Sequence, residues 1–308
     1  MGEGDSSSGD DEDSDSDSDS DTGSDPDSDL DPGGNGIRIG SSAFVDQCAD
    51  SCHDELRNSI RDEAVVKTAS LLVVSDIPIP SLEGVRTIGA RQFLGSSPRG
   101  SFVVNVSRDY RYMKMGYYVS LHADLLGNPV IPKCSDALDV YRAPILLLRS
   151  LKAGIPVSPY LVTDSVEDVI SQFDLPILIF PVTPFPSYGY RIVNSELALR
   201  GIMRRLTMNR RYTVCVQPLF GQPLAYKSIF GVPVDPETNN ICDRTVAEIS
   251  SKIYDEFGVP LFKFYVQREG DRTCLCGLDP LENSRKLSPV VSSLIREGVL
   301  EEVNRHVQ

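Results

Sequence analysis

The chain has 308 residues, room for two domains of ordinary size, and its 41% hydrophobic content suffices for real cores. Its formal net charge of −14 sits at one end: residues 1–40 hold 14 acidic groups and one basic group, Arg38, and the remaining 268 residues hold 30 and 29. A body so close to neutral lacks the basic excess of a nucleic-acid surface, and with no run of about 18 apolar residues no membrane span is expected.

The amino terminus has no apolar signal core. Seven cysteines, an odd count, read as reduced thiols, so a cytoplasmic location is expected. Residues 1–40 are expected to form a disordered acidic tail. Residues 14–21 alternate Ser and Asp, and such a segment cannot offset its ordering entropy by burial. Its plainest role is to keep the protein in solution. The Asp-flanked serines also suit phosphorylation, and the Asp clusters weak Ca²⁺ binding. Met1-Gly2 with Ser6 meets the loose myristoylation pattern in surroundings too acidic to favour it.

Residues 43–66 are predicted helical, with Phe44, Val45, Leu56, Ile60 and Val65 on one irregular face. Strands are predicted at 70–76 and 101–106. A loop, Ser107–Lys114, leads into a helix at 115–126 that Gly127 stops, and 128–133 reads as a short strand. A helix beginning at Asp136 is expected to be interrupted at Pro144 and to resume over 145–153. This alternation implies a parallel α/β layer. The rhythm then changes. Ser165 caps a helix at 166–173. Strands at 176–182 and 189–193 are joined by a turn-rich stretch, and a helix at 195–207 precedes strands at 211–217 and 223–230. A helix at 243–257, strands at 261–267 and 273–278, and a last helix at 288–304 complete the prediction.

One candidate site follows from the residues alone. The strand at 101–106 ends in a loop carrying Arg108, Arg111 and Lys114 just before a helix amino terminus, with Tyr110, Tyr112 and Tyr117 around it. Ligands of open α/β sheets sit at the carboxyl ends of strands, and free N–H groups with the helix dipole favour an anion there. The competing reading makes the tyrosines interface packing and the cations solvated. Cys48, Cys52 and His53 lack a second half of metal spacing. Cys274 and Cys276, two apart on a strand, read as small buried residues sharing a face. Ser120, His122 and Asp124 are each two apart on a helix and cannot face one another as a triad. Asp279, Glu282 and Asn283 suit helix capping as well as metal binding.

The segment Ser101–Cys134, SFVVNVSRDYRYMKMGYYVSLHADLLGNPVIPKC, resembles the RimK-like ATP-grasp amino-terminal domain. Tyr112, Gly116, Tyr117, Tyr118 and Ser120 fall in place, while His122 and Asp124 depart mildly from the family's helix. Downstream, Ala153-Gly154-Ile155-Pro156-Val157 resembles the phrase that leads into the nucleotide-binding subdomain. The paired strands over 176–193 resemble its phosphate-gripping hairpin, Val216-Gln217-Pro218 its adenine-contacting strand, and the helix and strands over 243–278 its metal-binding end. The resemblance implies ATP and Mg²⁺ as cofactors, with Gly189, Arg191, Gln217 and Lys227 toward the nucleotide. Departures accompany it. Phe180 stands where the family has a phosphate-neutralising Lys. Phe262-Lys263-Phe264 carries no carboxylate for Mg²⁺. The final ligand pair falls near Gly277 and Asp279, leaving Asp279 as the one metal candidate, and 231–240 is short for an Arg-bearing substrate loop.

The expected fold is therefore α/β: a Rossmann-like amino-terminal layer over 41–142, then an ATP-grasp-like α+β region over 143–308. The expected function is a degenerate member, a pseudoenzyme that binds nucleotide or a small anionic or peptide ligand, because phosphoryl transfer needs several charges in place together. The alternatives are an active ATP-dependent carboxylate–amine ligase, with Lys227, Arg191 and Asp279 standing in for the missing groups, and a non-enzymatic interaction or accessory protein with a protein partner.

Overall fold

The computed structural model describes residues 70–79, 82, 85–182, 189–238, 240, 242, 244–281 and 288–307. The acidic tail, the helix expected at 43–66, Cys48, Cys52, His53, Glu282 and Asn283 lie outside the described residues.

The first layer is a parallel sheet. Its strands are β1 (Ser70–Ser75), β2 (Arg86–Gly89), β3 (Ser101–Val106) and β4 (Val130–Ile131), in the order β2-β1-β3-β4. Every residue of β3 is buried, as a strand covered on both faces requires. One face packs on α1 (Ala90–Leu94) and α2 (Met115–Leu125) through Val74, Phe93, Val103 and Val119. The other packs on the last helix, α8 (Pro289–Val307), through Val104, Val106, Ile295 and Val299. β2 and α1 had no periodicity long enough to be seen in the sequence. The strand expected over 128–133 pairs only at Val130 and Ile131.

Two short helices follow, α3 (Cys134–Asp139) and α4 (Ala143–Lys152). Pro144 does not interrupt a helix, as the sequence suggested. It lies in the first turn of α4, where its missing N–H has no intrahelical partner to lose. Arg149 of α4 ties these helices to α7 (Arg244–Phe257): its guanidinium bonds Asp136 at 2.8 Å and Glu256 at 2.8 Å and lies 4.2 Å above the Phe257 ring.

The rest is two antiparallel sheets. The first comprises β5 (Leu161–Thr163), β6 (Ile177–Pro181), β7 (Arg191–Val193) and β8 (Val214–Pro218), ordered β5-β8-β6-β7. Its outer face packs on α5 (Val166–Gln172) and α6 (Glu196–Leu206) through Val169, Leu199 and Met203. The strand expected from residue 211 starts only at Val214, because Met208, Asn209 and Arg210 are all left-handed. The second sheet comprises β9 (Leu224–Ile229), β10 (Val232–Val234), β11 (Leu261–Glu269) and β12 (Arg272–Asp279), ordered β10-β9-β11-β12.

The two sheets share one apolar core. Leu178, Phe180 and Cys215 from the first meet Phe264, Leu275 and Cys276 from the second. Polar sutures cross between them: the Gln217 amide donates to the Cys276 carbonyl at 2.7 Å, and the Gln267 amide donates to the Pro218 carbonyl at 3.0 Å.

Candidate functional site

A cleft of about 640 Å³ opens at the carboxyl ends of β1 and β3. Asp76 follows β1. Arg108, Asp109, Arg111 and Lys114 come from the loop after β3. Lys263 and Tyr265 of β11, with Asp279 of β12, face them.

The loop owes its shape to buried chemistry. Asn105, fully buried near the end of β3, donates to the Gly116 carbonyl at 2.7 Å and to Ser120 Oγ at 2.9 Å, and its Oδ1 accepts from Ser107 Oγ at 2.7 Å. Ser120 Oγ in turn donates to the Pro132 carbonyl at 2.8 Å. Tyr110, also fully buried, donates its hydroxyl to the Asn105 carbonyl and accepts from the Ser107 N–H, both at 2.8 Å. Gly116 has to be glycine: a Cβ there would stand 2.7 Å from the Asp109 carbonyl and 2.8 Å from the Tyr110 ring. The Gly and Ser of the GYYVS phrase thus fold a cationic loop back over the start of α2.

The charges are partly paired within the cleft. Arg111 grips Asp109 in a two-pronged contact at 2.6 and 2.9 Å, an acid that the sequence reading had not placed there. Asp279 accepts from the Tyr265 hydroxyl at 2.6 Å and from the Gly189 N–H at 3.1 Å, so it latches the end of the hairpin to the second sheet. Lys263 stands opposite Asp279 on the neighbouring strand, with Lys227 on its other side. The protein around Asp76 withholds water from its carboxyl and pushes its pKa up, against the opposing pull of Arg108.

Of the residues expected from sequence, the cleft gathers Arg108, Arg111, Lys114, Gly189 and Asp279. Tyr112 lines a neighbouring cavity of about 70 Å³ beside Phe180. Tyr117 packs edge-on against Tyr112 at 5.3 Å. The other expected nucleotide contacts are elsewhere. Gln217 is buried in the suture, Lys227 pairs with Lys263 within the sheet, and Arg191 is exposed and donates to the Tyr190 carbonyl at 3.1 Å. Asp76, Lys263 and Tyr265 were missed. The carboxyl-end rule that singled out Arg108 applies equally to Asp76, whereas Lys263 and Tyr265 reach the cleft only through tertiary pairing.

His122 is structural: its Nε2 lies 2.8 Å from the Ser96 carbonyl and its ring meets Phe93 edge-on at 5.1 Å. Cys274 and Cys276 are free, buried thiols, with burial pushing Cys276 up to about 12. The register shifts beside Cys276, where Tyr265 opposes Gly277 and Val266 opposes Leu275.

Phe180, at the end of β6, lays its ring on Gly277, where a Cβ would stand 2.7 Å from Cζ and 2.9 Å from Cδ1. An apolar ring, not a cation, thus stands at the end of β6. Among the described residues no group of three His, Cys, Asp or Glu side chains could hold a metal, and the two oxygens of Asp279 are oriented by Tyr265 and the Gly189 N–H. The described residues thus hold no preformed three-ligand metal cluster.

Residues 90–174 match the family model of the RimK-like ATPgrasp N-terminal domain. The fold is ATP-grasp. The matched RimK-like segment runs past residue 142 through α4 and α5. The chain is similar in structure to a RimK domain ATP-grasp protein of Sphaerobacter thermophilus, with 18% identity, 74% of this chain and 99% of that one covered, and a TM-score of 0.54. It is similar to D-alanine–D-alanine ligase of Bacillus anthracis complexed with ATP, with 12% identity, coverage of 77% and 99%, and a TM-score of 0.51. It is also similar to the ATP-grasp ligase PsnB complexed with a precursor peptide and AMPPNP, with 13% identity, coverage of 78% and 98%, and a TM-score of 0.50. No curated protein matches. Two of these structures are of ligases.

Proposed function

We propose that this chain is a degenerate ATP-grasp protein whose working site is the charged cleft, and that the cleft takes a small carboxylate-bearing or peptide-like ligand. The charge gathered in an open cleft carries the reading. The core between the antiparallel sheets is filled by Phe180 and bridged by the Gln217 and Gln267 amides, with a cavity of about 70 Å³ beside Phe180, while the charged cleft measures about 640 Å³ and a further cavity of about 730 Å³ runs along Tyr190, Leu224, Tyr226 and Lys263. Small-molecule sites run to roughly 300–1,000 Å³. Arg108, Lys114 and Lys263 supply cations for a carboxylate, and Asp76 and Asp279 supply acceptors for an amine or a peptide N–H.

The test is thermal unfolding of the full chain with the acidic dipeptide Glu-Glu, and separately with ATP plus MgCl₂. A ligand at about ten times its Kd stabilises by roughly 1.4 kcal/mol, which shifts Tm by about 3–5 °C in a domain of this size. Glu-Glu should give such a shift. Arg108→Ala and Lys263→Ala should each weaken it about tenfold, a hydrogen bond to a charged group being worth about 1.5–3 kcal/mol. ATP with Mg²⁺ should leave Tm unchanged. A shift with ATP and Mg²⁺ and none with the dipeptide would overturn the proposal and restore the active-ligase reading through Lys227, Arg191 and Asp279.

A further inference from the structure

Far from the cleft, on the outer face of the β5-β8-β6-β7 sheet, charge is concentrated in a way the fold does not need. Residues 196–212 hold five arginines and a single acid, Glu196, in a body that is otherwise in acidic excess. Arg200 is committed to Glu196 at 2.6 Å and Glu167 at 3.4 Å, and Arg210 reaches Glu167 at 3.8 Å. Arg204, Arg205 and Arg211 are exposed and have no carboxylate partner among the described residues. Arg204 is held in place by Asn209, whose Oδ1 accepts from its Nε at 3.2 Å.

Helix-end electrostatics explain only part of this. Cations in the last turn of α6 offset the helix dipole, which accounts for Arg204 and Arg205. Arg210 and Arg211 lie beyond the helix. They are carried back toward it by three consecutive non-glycine residues in the left-handed region, Met208, Asn209 and Arg210, with φ of 49°, 57° and 67°. Each costs about 1–2 kcal/mol of backbone strain. Bonds from the Arg211 and Tyr212 N–H groups to the Thr207 carbonyl, at 2.8 and 3.0 Å, fix the hook. Beside it, between α5 and α6, runs a groove of about 340 Å³ that Arg200, Arg204 and Arg210 line.

We propose that this arginine hook is a docking surface for an acidic protein segment, a run of Asp, Glu or phosphoserine, gripped at Arg204, Arg205 and Arg211. All the cations are arginine, whose planar fork pairs two-pronged with a carboxylate or phosphate where lysine offers a point charge. Glu167 and Asp164 in the groove wall favour a peptide, whose amides can donate to them, over a nucleic acid, whose phosphates only accept and would meet these carboxylates as like charges.

The test uses the full chain and a fluorescent peptide of alternating Asp and Ser, read by anisotropy. Binding should weaken at least tenfold in the triple variant Arg204→Ser, Arg205→Ser, Arg211→Ser. The triple Arg→Lys variant should recover only part of it. All three exchanged side chains are exposed, so equal melting temperatures will certify folding. Three outcomes overturn the proposal: equal binding by wild type and the Ser variant, full recovery by lysine, or tighter binding of a single-stranded RNA of equal charge. The cleft plays no part in this experiment, so its own proposal stands or falls separately.

Discussion

Gly277→Ala should destabilise the protein by about 3 kcal/mol, the upper end of what one added methyl does in a close-packed core. The new Cβ would fall 2.7 Å from Cζ of Phe180 and closer still to Cε1. Phe180 cannot swing aside, since Tyr190 lies against it at 5.9 Å between centroids and the core of both sheets surrounds it. Phe180→Ala should also cost about 3 kcal/mol, through lost burial and the cavity left behind. The two effects should not add. With the ring gone the methyl has room, so the double variant should unfold near the midpoint of Phe180→Ala alone, with a coupling of about 2–3 kcal/mol. Urea unfolding of the four proteins measures this directly. Additive costs would mean that the ring does not occupy the gap, and the proposed degeneracy would lose its main support.

Asn105→Ala should cost about 3 kcal/mol, roughly 6–12 °C in Tm, because it strips partners from three buried polar groups at once. The Gly116 carbonyl, Ser107 Oγ and Ser120 Oγ all bond this one amide. The loss should also reach function. The same network holds the Ser107–Lys114 loop, so dipeptide affinity in the cleft should fall even under conditions where the variant remains folded. Ser120→Ala is the control: it removes one arm of the network and should cost less on both counts. A variant that melts early yet binds the dipeptide as wild type does would show that the loop keeps its shape without Asn105.

Much of the fold was legible because burial writes periodic patterns. The apolar run over 101–106, the amphipathic helix at 244–257 and the hairpin turning at Glu269-Gly270-Asp271 all stand where the sequence puts them. β2, β5 and β10 were not legible, being three or four residues each, too short for a period to declare itself. The site divided along the same line. Arg108, Arg111 and Lys114 are local in sequence, next to a strand end, and were found together. Their counterparts Lys263, Tyr265 and Asp279 reach the cleft through strand register more than 140 positions away, of which only Asp279 had been singled out. The Phe180–Gly277 contact had a sequence signal at each end, an apolar residue at a Lys position and a glycine at a ligand position, but nothing that joined them. What that ring would lie on needed the two sheets face to face.

The shared core also holds a gauge of its own opening. Cys215 belongs to one antiparallel sheet and Cys276 to the other, both are fully buried, and burial pushes both thiols up to about 12. Neither can react with a thiol reagent while the sheets are closed, whereas Cys134 and Cys242 are partly exposed. The slow phase of labelling at Cys215 and Cys276, resolved by peptide mapping, will therefore count how often the two sheets part in the native protein.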